Sequence, residues 1–143
     1  MILPPPPDPD IRAAVEQLLS EFCHRIDNGL GATIHELFVD DGRVETPAFA
    51  LTSKTEIETF FTARSANKGR VSRHYWSNLR LTVDGDRVDA ITNVMTAVSE
   101  GGRQQLMGGS SFDSFIRTAD GWAFTSRRLE LVFSGFMAPE DAE

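Results

Sequence analysis

With 143 residues, 41% of them hydrophobic and 24% charged, the chain has the composition of one ordinary globular domain and is long enough to build a core without staples. Its 21 acidic residues outnumber 14 basic ones, and the net charge of −7 argues against a nucleic-acid partner; no apolar run approaches the roughly 20 residues that cross a membrane. The one cysteine, Cys23, excludes an internal disulfide and a cysteine-ligated zinc, and with no visible signal peptide the expectation is a cytoplasmic protein.

Residues 1–9 are rich in proline and read as an extended N-terminal arm; a single domain over residues 10–137 and an acidic tail over 138–143 complete the expected organisation. Ile11, Val15, Leu18, Leu19, Phe22 and Ile26 recur at three- and four-residue steps, which predicts a helix from about Asp10 to Asn28, capped by Asp8 or Asp10 and stopped by Gly29 and Gly31. A shorter helix should follow, with Ile34, Leu37 and Phe38 on its buried side. Asp40-Asp41-Gly42 reads as a turn and Arg43 to Thr46 as a short strand ended by Pro47. A third helix is expected over Thr55 to Ala66, with Ile57, Phe60 and Phe61 inward. Ser53 or Thr55 would cap it, backed by Glu56 or Glu58 as in a capping box.

Beyond Gly69 the chain turns to β-branched and aromatic residues. Strands are expected over Val71–Val83, Arg87–Val98, Gln104–Arg117 and Trp122–Phe133. Asp84-Gly85-Asp86, Gly101-Gly102 and Asp120-Gly121 mark the hairpins, and Gly108-Gly109 marks a bend or bulge. Helices first and an antiparallel meander after them make the fold class α+β. One strand carries a conflict. His74, Trp76 and Asn78 share one parity, whereas Leu79, Leu81 and Val83 share the other. Either both faces are covered, or a bulge near Asn78 shifts the register.

Four stretches in this order resemble the SnoaL-like branch of the nuclear transport factor 2-like superfamily: Phe22-Cys23-His24-Arg25-Ile26-Asp27, Leu37 to Val44, Arg73-His74-Tyr75-Trp76-Ser77-Asn78 with the hairpin after it, and Ser111 to Phe115 with Gly121-Trp122 and Arg127-Arg128. The likeness covers about residues 11–133. It implies a cone-shaped α+β barrel, in which N-terminal helices close a curved antiparallel sheet around a deep apolar pocket, and a homodimer formed through the outer face of the sheet. It also implies roles for two residues. Dehydratases similar to scytalone dehydratase and to bile acid dehydratases use an aspartate and a histidine in the cone, and Asp27 and His74 stand at the matching positions. Those enzymes often add tyrosine hydroxyls, but here Phe22 and Ser111 occupy such places, and Tyr75, the one tyrosine, has the parity opposite to His74. The spacing of His74 and Asn78 also resembles the structural small subunit of ring-hydroxylating dioxygenases.

An imidazole can give or take a proton near neutral pH, and a carboxylate on one ring nitrogen fixes its tautomer. Asp27 and His74 would therefore be the catalytic pair on a hydrophobic, carbonyl-bearing metabolite; the bland alternative is a turn-capping aspartate and a satisfied buried histidine. Phe22, Trp76, Asn78, Ser111, Asp113 and Arg127 are the expected substrate-binding residues. Asp113 and Arg127 alternatively form a structural ion pair between strands. Arg64, Lys68, Arg70, Arg73 and Arg80 form a basic stretch without an acid, either a solvated segment or a means of steering an anion to the pocket. His24 and His35 lack the partners of a metal site, so no metal and no cofactor are expected. The reading is a small lyase or isomerase of dehydratase type; the alternatives are a non-catalytic binding or dimerisation module of the same fold, or a dioxygenase structural subunit.

Overall fold

Asp8 accepts the Asp10 N–H at 2.8 Å, and this cap starts α1 (Pro9–Asp27) one residue earlier than expected, with Pro9 in its first turn, where a missing N–H costs nothing. The computed structural model describes residue 3 and residues 5–138, so most of the acidic tail lies outside the described residues. Val15, Leu19 and Phe22 form the buried stripe of α1. Gly29 then takes a φ of +75°, a left-handed conformation that turns the chain away. A 3-10 helix, Gly31–Leu37, buries Ile34 and Leu37.

Phe38 opens a strand and does not close the helix as the sequence led us to expect. β1 runs over Phe38–Glu45, and Asp40-Asp41-Gly42 lies inside it. The turn signal is expressed as an irregularity: Phe38 pairs with Phe124 and Arg43 with Ser126, so four β1 residues bulge against one residue of the neighbouring strand. A two-residue strand that the sequence did not signal, β2 (Ala50–Leu51), pairs with the end of β1. α2 (Lys54–Ala66) is capped by Ser53, which accepts the Glu56 N–H at 3.1 Å while the Glu56 carboxylate takes the Thr52 N–H at 2.6 Å.

The four long strands are β3 (Arg70–Asp84), β4 (Arg87–Glu100), β5 (Arg103–Thr118) and β6 (Gly121–Phe136). The sheet order is β2-β1-β6-β5-β4-β3, antiparallel except for the parallel β1–β6 pair, with β2 and β3 as its two edges. The fold is α+β: helices on the concave side of a curved, unclosed six-stranded sheet. Its core is aromatic. Phe124 stacks on Phe38 at 5.0 Å and meets Phe115 at 4.6 Å, and Phe22 meets Phe61 edge-on at 5.6 Å.

Bulges bend this sheet. One falls between Gly108 and Gly109, where a side chain at Gly109 would stand 1.9 Å from the Glu130 carbonyl oxygen. Another settles the parity conflict in β3. Ser77 faces Asn93 and Arg80 faces Ile91, so Asn78 and Leu79 stand opposite Thr92 alone, and Asn78 has a φ of +56°. Before it, Ser72, His74 and Trp76 point inward; after it, Leu79 and Leu81 do. Asparagine tolerates the left-handed region and a β-branched residue does not. Asn78→Val is expected to cost about 1–2 kcal/mol, seen as a lower urea midpoint, and Asn78→Gly to change stability by no more than about 0.5 kcal/mol.

Candidate active site

Asp27 is the last residue of α1, and its carboxylate ties the helix end to β3 by three hydrogen bonds. Its Oδ2 accepts the backbone N–H of His74 at 2.8 Å; its Oδ1 accepts the Ser72 hydroxyl at 2.8 Å and meets His74 Nδ1 at 2.6 Å. Ser72 and His74 share the inward parity of β3, so one carboxylate reads a strand of alternating residues through its side chains and its backbone at once. The Asp27 side chain is only 6% exposed, and burial pushes its carboxyl up. The hydrogen bonds and charge of His74, with the Ser72 hydroxyl, outweigh that, and the net effect holds the group below the ordinary carboxylate range.

An ionised carboxylate on Nδ1 assigns the proton of neutral His74 to that nitrogen. Nε2 is left with a lone pair and has no protein partner among the described residues. The depressed Asp27 value also sets a stability dependence. Since the folded state binds this proton less readily than the unfolded chain, the contribution is complete above the ordinary carboxylate value and is lost as pH falls through the lower folded value. Urea midpoints measured downward from neutral pH should therefore fall on the acid side, and Asp27→Asn should flatten that limb.

His74 lines a cavity of about 310 Å³. Phe22 and Ile26 of α1, Val44 of β1, Trp76 of β3 and Leu129 of β6 give it an apolar wall, and Trp76 Nε1 is held by the Ser20 hydroxyl at 3.2 Å. Cys23 also faces the cavity; burial pushes its thiol up, against the pull of the nearby Arg127 charge. Arg127 reaches the same space from β6. It is cross-strand from Asp113, its Nε donates to Asp113 Oδ1 at 2.8 Å, and its Nη2 donates to Ser111 Oγ at 3.3 Å. Its guanidinium lies 4.3 Å from the centre of the Phe22 ring. Nη1 makes no hydrogen bond among the described residues, so one face of a part-buried, oriented cation remains available.

Of the residues expected from the sequence, Phe22, His74, Trp76, Ser111 and Arg127 line the cavity, and Asp27 stands directly behind His74. Asp113 is fully buried behind Arg127 and does not face the cavity; it forms the interstrand ion pair. Asn78 is not at the cavity. Its bulge leaves it exposed, and parity counted through a bulge misplaces it. Tyr75 is 60% exposed, on the outward parity of β3. Arg64 and Arg70 are cavity residues that the sequence marked only as members of the basic stretch. Among the described residues no three histidine, cysteine, aspartate or glutamate side chains converge as metal ligands, and no helix is long and apolar enough to cross a membrane.

A family model described as SnoaL-like domain matches residues 10–128. No curated protein matches the chain in sequence. Solved structures do match in shape. A provisionally named scytalone dehydratase from Novosphingobium aromaticivorans superposes with a TM-score of 0.80 at 18% identity, over 92% of this chain and 90% of that one. The hexachlorocyclohexane dehydrochlorinase LinA-type3 from Novosphingobium barchaimii gives 0.78 at 20% identity, over 90% and 91%. A protein from Catenulispora acidiphila, solved in complex with S-DNPA, gives 0.76 at 20% identity, over 87% and 95%. At these identities the likeness establishes the fold.

Proposed function

The chain belongs to the SnoaL-like domain family, and on that premise we propose that it is a small lyase using only its own side chains, which eliminates a leaving group from a hydrophobic carbonyl compound. The observation that carries this reading is the Asp27–His74 pair, set at an apolar cavity with Nε2 unengaged. His74 Nε2 takes a proton from the carbon next to the carbonyl. The C–H electron pair moves to form an enolate, whose oxygen the Arg127 guanidinium stabilises. The enolate re-forms its carbonyl as the bond to the leaving group on the next carbon breaks. If that group is hydroxyl, the imidazolium returns its proton to it, water leaves and the base is regenerated. Return of the proton to a different carbon makes the same first step an isomerisation. The names dehydratase and dehydrochlorinase, borne by two proteins of similar shape, describe eliminations, of water and of hydrogen chloride.

Deuterium uptake from D₂O into the α-position of hydrophobic ketones, followed by proton NMR, tests the first step without knowledge of the leaving group. Exchange with at least one ketone that binds is the expected result; binding without any exchange would leave the rival reading, a ligand-binding module. Tyr75, the one tyrosine, borders the cavity but has the outward parity of β3 and is 60% exposed, which favours that rival; in the lyase reading Arg127 polarises the carbonyl.

The convex face of the sheet suits a second copy of the chain. Tyr75, Met95, Gly108 and Phe133 are consecutive partners across β3, β4, β5 and β6, and the Phe133 ring lies over Gly108, where a Cβ would come within 2.2 Å. The three side chains of this row are 60%, 41% and 51% exposed. A contiguous apolar strip of this kind is normally covered. Sedimentation should give twice the chain mass of 15.8 kDa, and Met95→Lys, in the middle of the row, should give the single mass.

A further inference from the structure

Two cavity arginines take no part in the proton chemistry. Arg64 lies in the last turn of α2 and Arg70 begins β3, and both line the cavity that His74 lines. Arg64 is partly buried yet makes no ion pair and no side-chain hydrogen bond among the described residues. Burial and the neighbouring Arg70 push its guanidinium below the ordinary value, partly offset by the charges of Glu100 and Asp27. Arg70 Nε is buried with no acceptor. Its Nη1 stands 3.7 Å from Glu100, a carboxylate 46% exposed that already accepts from Asn67 at 2.9 Å. The other nearby acids hold other partners or stand apart from the pair: the Asp27 oxygens hold Ser72 and His74, Asp113 holds Arg127, and Glu45, which also lines the cavity, is exposed on β1 and pairs with neither arginine among the described residues. Two like charges beside each other on a partly dry wall, with donors left over, form an arrangement that an oxyanion would complete.

The geometry points to an oxyanion subsite: Arg64 and Arg70 bind a carboxylate or comparable group on the substrate, whose apolar part extends along Phe22 and Trp76 toward His74. Arg70 and His74 are two pleats apart on one face of β3, about 13 Å between backbones, a separation that suits a small ring system between anchor and reacting carbon. The subsite specifies the substrate class for the acid–base reading, a hydrophobic keto acid, but anion binding stands without any chemistry.

Calorimetric titration of the full chain with 2-naphthoate and its neutral counterpart 2-naphthamide tests the subsite. The carboxylate should bind at least roughly tenfold more tightly, and high salt should narrow the difference. Arg64→Gln and Arg70→Gln should each remove most of the preference and leave naphthamide binding unchanged, whereas Lys68→Gln, at an exposed neighbour, should keep it. Equal binding of the two probes would overturn the subsite, as would a double variant with a native circular-dichroism spectrum that keeps the preference. If one single variant does not fold, the other carries the test. His74→Ala should retain the carboxylate preference. A chain that prefers naphthoate but exchanges no α-proton faults the acid–base reading alone; one that exchanges without preferring the carboxylate faults the subsite alone.

Discussion

His74→Ala is expected to lower the rate of α-proton exchange by roughly 10²–10⁴-fold, with the helix and strand signals of the protein unchanged. The variant loses the base but leaves Asp27 two of its three hydrogen bonds, from Ser72 and from the backbone of residue 74, so the join between α1 and β3 persists. Asp27→Asn makes the sharper comparison. An amide NH₂ facing Nδ1 demands an acceptor there, which moves the imidazole proton to Nε2 and removes the lone pair from the cavity. Exchange should fall by a comparable factor although the histidine is intact. Full exchange in His74→Ala would end the proposal for this residue; full exchange in Asp27→Asn alone would show that His74 acts without its orienting partner.

Asp113→Ala should be the most damaging single change to stability, costing about 3–5 kcal/mol in urea titrations. Asp113 is 2% exposed and accepts from Arg127 at 2.8 Å and from Ser111 at 2.9 Å. Its removal leaves a guanidinium in the aromatic core with one weak partner and the faces of Phe22 and Phe124. The cost comes from the uncompensated charge and not from the strength of the pair. The double variant Asp113→Leu with Arg127→Met should therefore recover much of the loss. It should also lose activity, because the cation assigned to the enolate is gone. Stability and chemistry part company in this one pair of variants.

The α1 boundaries, the hairpins and the inward parity of His74 and Trp76 were legible in the sequence because each rests on a local rule: apolar period, a turn dipeptide, alternation. Asp40-Asp41-Gly42 misled because the turn chemistry is real but is spent inside a strand, where pairing of Phe38 with Phe124 and Arg43 with Ser126 holds both ends in the sheet. β2 was invisible because two residues carry no period. At the site, Asp27 and His74 came from family likeness; nothing in their spacing announces a 2.6 Å contact between residues 47 positions apart. Arg64 and Arg70 were marked as charge without a place, since only the tight turn at Asn67, which joins the end of α2 to the start of β3, brings both to one space. Asn78 shows the reverse failure: its parity was counted correctly, and the bulge at that residue made the count irrelevant.

That bulge has a consequence for how the chain tolerates changes in length. Ahead of Asn78, β3 presents His74 and Trp76 to the cavity; beyond it, Leu79 and Leu81 face the core. The extra residue acts as a reading-frame shift between two independent faces. Deleting Asn78 would restore a regular strand and force a choice: keep the leucines inward and expel the histidine, or the reverse. A one-residue deletion there is therefore predicted to be far more harmful than replacement of the same residue by glycine, and a two-residue insertion in the β3–β4 hairpin far less harmful than either a deletion or an insertion of one within the strand. The strand should thus tolerate changes on the core side without disturbing the side that presents His74 and Trp76 to the cavity, provided that the single unpaired residue between them is kept.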